Sequence, residues 1–239
     1  MVRAPLLLLV ALLAGQARAQ SSAVRQLVVV TTPAWDSVSG TLQRYSRVRA
    51  STAWRAVGAP VPIVVGQTGL AWGEDVVGRH NDPRKREGDG KAPAGRFELG
   101  TAFGFAPAGA IDSVRVPYMP LDDGSECVDD TASVHYNTVV ERGAVPRVDW
   151  QSAERMRSID LYRLGVIVRY NMRPVRRGRG SCIFLHIWRA AGSPTSGCTA
   201  MPAADLETVV RWLDPYANAM LVQLPSAEYS RLRQPWKLP

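Results

Sequence analysis

Histidine and cysteine are scarce in this 239-residue chain, with three of each. No two of them stand at the spacing of a zinc finger or ribbon, which argues against a zinc site built from paired ligands. Beyond residue 13 there is no long apolar run. Nothing reaches the roughly 20 residues a membrane-spanning helix needs, so the sequence reads as soluble, with no stable membrane insertion. There is no internal repeat and no long low-complexity tract. Acidic residues are the minority, 21 Asp and Glu against 29 Lys and Arg, for a formal charge of +8. Such an excess favours acidic polymers: nucleic acid, anionic glycans, or cell-wall peptides with free carboxylates. The basic residues are dispersed except in Arg173-Pro174-Val175-Arg176-Arg177-Gly178-Arg179-Gly180. That segment has no aromatic interleaving and no nucleic-acid motif. It reads as a solvated basic loop, with no nucleic-acid partner.

What is present begins with a leader. Arg3 is followed by an apolar run from Leu6 to Leu13 and then by Ala17-Arg18-Ala19. A basic start, a short apolar stretch and a small-x-small site are the parts of a secretory signal peptide. The cut is expected after Ala19, which divides the chain into a leader at 1–19 and one catalytic-sized domain at 20–239. Export implies an oxidising compartment, where cysteines pair if geometry allows. An odd count of three therefore points to one free thiol with a chemical task.

Short β-type runs separated by Gly and Pro dominate the remainder. Strands are expected at Gln26–Thr32, Val61–Val65, Arg96–Leu99, Tyr162–Tyr170 by period-two alternation, Ser181–Ile187, and Ala219–Leu224. Leu206, Val209, Val210 and Leu213 share one helix face, with Pro202 at the expected start and Asp205 suited to the dipole. Gln151–Arg157 is a weaker helix candidate. The predicted fold is mainly β with a few short helices. Long loops are expected at 84–95 and 122–137, and long loops in compact domains tend to be functional. In the first, Glu87-Gly88-Asp89-Gly90 has too few oxygen ligands for calcium and reads as a tight turn set by two glycines. No metal or organic cofactor is implied.

The chemistry concentrates between Phe184 and Met201. A thiol attacks well only as thiolate, so it needs a base or a positive partner. A strand carries His186 in, a Gly-Pro loop turns back, and Cys198 follows just before the helix expected near Pro202. That order can bring thiol and imidazole together and can lend the sulfur the helix dipole. Gly197 leaves space beside the sulfur, and the Gly197 and Cys198 backbone amides are candidates for an oxyanion hole. His80 and His135 lack such a context and read as loop histidines.

Thr195-Ser196-Gly197-Cys198, with His186 upstream, resembles the active-site signature of the YkuD-type L,D-transpeptidases, enzymes of bacterial peptidoglycan. The stretch Lys85-Arg86-Glu87-Gly88-Asp89-Gly90-Lys91-Ala92-Pro93-Ala94-Gly95-Arg96-Phe97 is similar to the EGDGKxPAGxF stretch of one branch. Cys127-Val128-Asp129-Asp130 and Tyr136-Asn137 look like that branch too. The resemblance spans about Leu27 to Leu213. It implies a β-sandwich or barrel-like catalytic domain, a monomer in the periplasm or cell-wall space. It also implies an acyl-thioester on Cys198, formed from a peptidoglycan stem peptide with His186 as base. An amine then takes the acyl group; water in its place would make the protein a carboxypeptidase. A non-catalytic wall-binding protein is the remaining alternative. Many members carry Arg or Asn two places after the nucleophile, where this chain has Thr199-Ala200-Met201. Arg189 or Arg86 is then the candidate cation for substrate carboxylate. Trp188, Thr195 and Ser196 complete the expected substrate contacts. Cys127 and Cys182 either form a disulfide that leaves Cys198 free or remain two thiols.

Overall fold

The computed structural model describes residues 23–73 and 82–239. The leader expected at 1–19 and His80 lie outside the described residues. Among the described residues, thirteen strands run in chain order as β1 (Gln26–Thr32), β2 (Ser39–Ser46), β3 (Arg55–Val64), β4 (Leu70–Trp72), β5 (Ala92–Gly104), β6 (Tyr118–Pro120), β7 (Ser125–Val128), β8 (Val139–Glu141), β9 (Ala153–Arg155), β10 (Leu164–Val168), β11 (Phe184–Ile187), β12 (Thr199–Met201) and β13 (Met220–Pro225). The described residues also form the α-helices α1 (Ala203–Trp212) and α2 (Ser226–Leu232). Among the described residues no helix is long and apolar enough to cross a membrane.

One sheet follows the order β10-β11-β12-β3-β2-β1-β13-β5. β5 is 13 residues long, and it pairs with β13 through Gly95–Glu98 and with β10 through Leu99–Gly104. The path therefore closes on itself as a barrel, which leaves the ring no open edge. The run from Leu27 to Val30 is buried throughout, because β1 is an interior strand paired on both sides. The four aliphatic residues expected on one helix face, Leu206, Val209, Val210 and Leu213, are all fully buried. Each contributes about 1.5–3 kcal/mol by leaving water, and together they seat α1 against β10 and β11.

The mainly β expectation holds, and several boundaries differ. Gln151–Arg157 is not a helix; it forms β9 and a 3₁₀ turn at Met156–Ser158. Only Met156 in that stretch is a buried apolar residue, too little to hold a helix face, and pairing of Glu154 with Cys127 claims the backbone for a sheet. The alternating run from Tyr162 is a strand only from Leu164 to Val168, since Asp160–Tyr162 form a 3₁₀ turn. β11 begins at Phe184, later than Ser181, because Cys182 takes a left-handed backbone with φ of 54°. The loop expected at 84–95 ends early, as β5 starts at Ala92, and the loop expected at 122–137 contains β7.

β7 carries a second, three-stranded sheet of order β8-β7-β9. A Cys127–Cys182 disulfide, with Cα atoms 6.0 Å apart, ties this sheet to the residues ahead of β11. Buried Asn137 reinforces the tie. Its Oδ1 accepts the Cys182 amide at 3.0 Å, and its Nδ2 donates to the Tyr170 and Asn171 carbonyls at 2.9 and 2.8 Å.

The bridge spans 55 residues of chain, and the loop-entropy relation assigns about 4 kcal/mol to such a closure. Cys127→Ser is therefore expected to lower the thermal midpoint while Cys198 stays reactive. Denatured, unreduced protein is expected to show one titratable thiol, and three would contradict the bridge.

Candidate active site

β11 and β12 run parallel, with Leu185 beside Thr199, His186 beside Ala200 and Ile187 beside Met201. Parallel neighbours share a face, so Cys198, two residues before Ala200, falls on the His186 side one step along the strand. Both side chains are buried, and both line one cavity. The sulfur is held by backbone: the Phe184 N–H donates to Cys198 Sγ at 3.3 Å, and the thiol donates to the Cys182 carbonyl at 3.3 Å. His186 Nδ1 lies 2.7 Å from the Ile187 carbonyl. That contact requires a proton on Nδ1 and leaves Nε2 with its lone pair. The orienting partner of the imidazole is thus a main-chain carbonyl. The Tyr162 ring stacks edge-on against the imidazole, with centroids 5.2 Å apart.

The loop ahead of Cys198 is shaped by Thr195. Its hydroxyl donates to the Cys198 carbonyl at 2.6 Å and accepts the Gly197 amide at 3.1 Å. A hydroxyl three residues before the cysteine therefore closes the turn that presents the sulfur. The same bond uses up the Gly197 amide, so it cannot serve an oxyanion, and of the two expected donors the Cys198 amide remains. A Cβ on Gly197 would sit 3.1 Å from the Lys91 carbonyl, and this close approach favours glycine there. The wall it approaches is the 85–91 loop, a tight turn with Gly88 and Gly90 at φ of 71° and 66°. Asp89 knits it, accepting from Lys85 Nζ at 2.6 Å and from the Arg86 and Lys91 amides at 2.7 and 2.9 Å.

Burial governs the protonation of the pair. It drives the Cys198 thiol well above the usual range, an effect increased by nearby Glu154 and only partly offset by the Phe184 amide and Lys85. Burial also lowers His186 to about 4, against the opposing pull of its bond to the Ile187 carbonyl. The resting site thus holds a neutral thiol and a neutral imidazole. The expected help from a helix dipole is not realised, because the three residues of β12 separate Cys198 from α1. That is about 10 Å of extended chain, and the dipole's influence fades within the first turn.

Two cavities meet at Cys198. One, of about 230 Å³, is lined by His186, Trp188, Arg189, Thr195 and Ser196 among others. The other, of about 240 Å³, is lined by Lys85, Glu87, Asp129, Ser181 and Gly197. Glu154, Ser196 and Cys198 belong to both. Of the expected substrate contacts, Trp188, Arg189, Thr195 and Ser196 are brought together. Arg86 is not: it is exposed and lines neither cavity, while Lys85 turns inward at 3% exposure and pairs with Asp89. Successive side chains in the loop point oppositely, and Asp89 captures Lys85. Glu154 and Tyr162 carry no sequence signal; their place follows only from the β7–β9 pairing and the 3₁₀ turn before β10. His135 packs its ring on Trp150 and lines neither cavity.

A neutral resting thiol has a kinetic signature. Inactivation by iodoacetamide is expected to rise about tenfold per pH unit from 7 to 9 without levelling, because only thiolate reacts. A plateau beginning below pH 7 would show an ionised resting thiol and contradict this electrostatic picture.

Among curated proteins and among solved structures, no match is found. The family model described as YkuD, L,D-transpeptidase catalytic domain, matches residues 57–222. The matched span runs from within β3 to within β13 and includes the 85–91 loop, His186 and Cys198. That span is more than half of the chain and holds the carbonyl-oriented histidine of β11 and the buried cysteine just ahead of β12, so the chain belongs to the L,D-transpeptidase catalytic domain family.

Proposed function

We propose that this protein is an exported peptidoglycan-modifying acyl-transferase of the branch with the EGDGKxPAGxF stretch, with Cys198 as nucleophile and His186 as general base. The observation that carries the reading is the position of Cys198 at the junction of two cavities. A transferase needs room on two sides of its nucleophile, one for the acyl donor and one for the acceptor. The family acts on peptidoglycan peptides, and the leader at residues 1–19 supports delivery to the periplasm or cell-wall space.

In the proposed reaction the thiol proton passes to His186 Nε2 as sulfur attacks the carbonyl of the third stem residue. Because thiol and imidazole are both neutral at rest, proton transfer and attack proceed together. The tetrahedral oxyanion forms beside the Cys198 amide. The C–N bond then breaks, and the His186 proton goes to the departing amine of the terminal D-residue, so one base serves twice. An acceptor amine next attacks the thioester, the new C–N bond forms, and sulfur regains its proton. Arg189 opens onto the His186 side of the cavity. There a guanidinium suits the carboxylate of the leaving D-residue, a place the short residues after Cys198 do not fill.

Incubation with disaccharide-tetrapeptide, followed by mass spectrometry, tests the reading. Release of the terminal D-residue with a cross-linked dimer is expected. Release without any dimer, even with added amine, would identify a carboxypeptidase. Cys198→Ala is expected to abolish release while the fold persists, and His186→Gln to slow it about 10²–10⁴-fold. Turnover near wild type in Cys198→Ala would overturn the assignment.

A further inference from the structure

Transfer to an amine raises a proton count that His186 does not meet alone. At neutral pH an aliphatic amine is an ammonium, as such groups titrate near about 10. It must lose two protons to become an amide nitrogen. His186 conveys one to the sulfur as the thioester breaks. The other must leave before attack, while the nitrogen still lacks a lone pair.

Glu154 stands where a second base is needed. It lines both cavities together with Cys198. Its Oε2 accepts the Tyr162 hydroxyl at 2.7 Å, and the ring of that tyrosine packs on His186. The backbone of Glu154 is fixed by pairing with Cys127, which the disulfide binds to Cys182. A second observation points to a cation in the same place. Asp129, on the Lys85 side of Cys198, has a buried Oδ1, and this atom has no hydrogen-bond partner among the described residues. An ammonium has three N–H donors and would supply the missing one.

We propose that Glu154 takes the first proton from the acceptor ammonium, with Tyr162 holding the carboxylate toward the thioester and Asp129 seating the ammonium; this rests on the acyl-transfer reading above. The proton moves from nitrogen to the Glu154 carboxylate and later to solvent. The freed lone pair attacks the thioester carbon. As the C–N bond forms and the C–S bond breaks, the surplus proton on nitrogen passes through His186 to sulfur. The electrostatic setting suits the task. Burial raises the Glu154 carboxyl to about 7, with Asp129 and Glu87 adding to the rise and the Tyr162 hydrogen bond opposing it. Lys85, Arg189, Cys198 and His186 are the other titratable groups facing this space. A base poised near the working pH is the efficient one.

The test loads Cys198 with an acetyl group from 4-nitrophenyl acetate and chases it with lysine, recording acylation and aminolysis separately from pH 6 to 10. In the wild type, aminolysis is expected to rise to about pH 7–8 and then level off, since carboxylate and ammonium are then both at their maxima. In Glu154→Gln, acylation is expected not to fall, because loss of the Glu154 charge eases ionisation of the Cys198 thiol. Aminolysis is expected to fall at least about tenfold at pH 7 and to climb about tenfold per pH unit toward the amine's own pKa, as for a general base removed. Wild-type aminolysis that simply tracks free amine across this range overturns the proposal, whether or not the variant folds. An equal loss of acylation and aminolysis in Glu154→Gln also overturns it, as a structural effect. Acetylation by the ester without acylation by disaccharide-tetrapeptide counts against the peptidoglycan reading and leaves the role of Glu154 decided by the same pH profiles.

Discussion

The parallel pairing of β11 with β12 is the constraint on which the site depends. Twelve residues lie between His186 and Thr199, yet the register sets His186 beside Ala200 and brings the sulfur to the Phe184 amide and the Cys182 carbonyl. The closed barrel holds that register, because β12 also pairs with β3 and β11 with β10. A one-residue slip would turn His186 to the opposite face. Around this pair every further element acts as a brace: the Thr195 hydroxyl on the loop, the 85–91 turn against Gly197, and the disulfide that carries the small sheet to Cys182.

The same burial that fixes the pair makes it quiet. A desolvated thiol and a desolvated imidazole each favour the neutral form, and in the proposed reaction the proton shift waits for a substrate whose developing oxyanion offsets the charge separation. In an oxidising compartment this restraint has a second use. The two other cysteines are bonded to each other, and the remaining thiol is buried and protonated, which slows exchange with external disulfides. Reactivity is thus confined to what the two cavities admit.

Much of this was legible in the sequence, for identifiable reasons. The four aliphatic residues at helical spacing found their buried face, and the Leu27–Val30 run found its interior strand, because periodicity and apolar content report burial directly. The His186 and Cys198 order was readable because residue type and sequence position carry the chemistry. What escaped depends on distance in space. Whether the thiol is ionised is set by desolvation, which no local pattern reports. The Gly197 amide is lost to the Thr195 hydroxyl through a bond two residues long, visible only once the loop is folded. Lys85 and Arg86 are alike in charge, and only the folded loop, where Asp89 and the Arg86 carbonyl accept from Lys85 Nζ, shows which turns inward. Glu154 lay in a stretch read as a weak helix, and only its pairing with Cys127 places it at the site.

The central claim is that Cys198, buried and neutral at rest, becomes covalently acylated by a stem peptide. Rapid mixing of the protein with disaccharide-tetrapeptide, acid quenching and peptide mapping by mass spectrometry tests it directly. The expected result is an adduct on the peptide containing Cys198, equal in mass to the donor without its terminal D-residue and removed by hydroxylamine as a thioester. Turnover with no adduct at any quench time, or with the adduct on another residue, would contradict it.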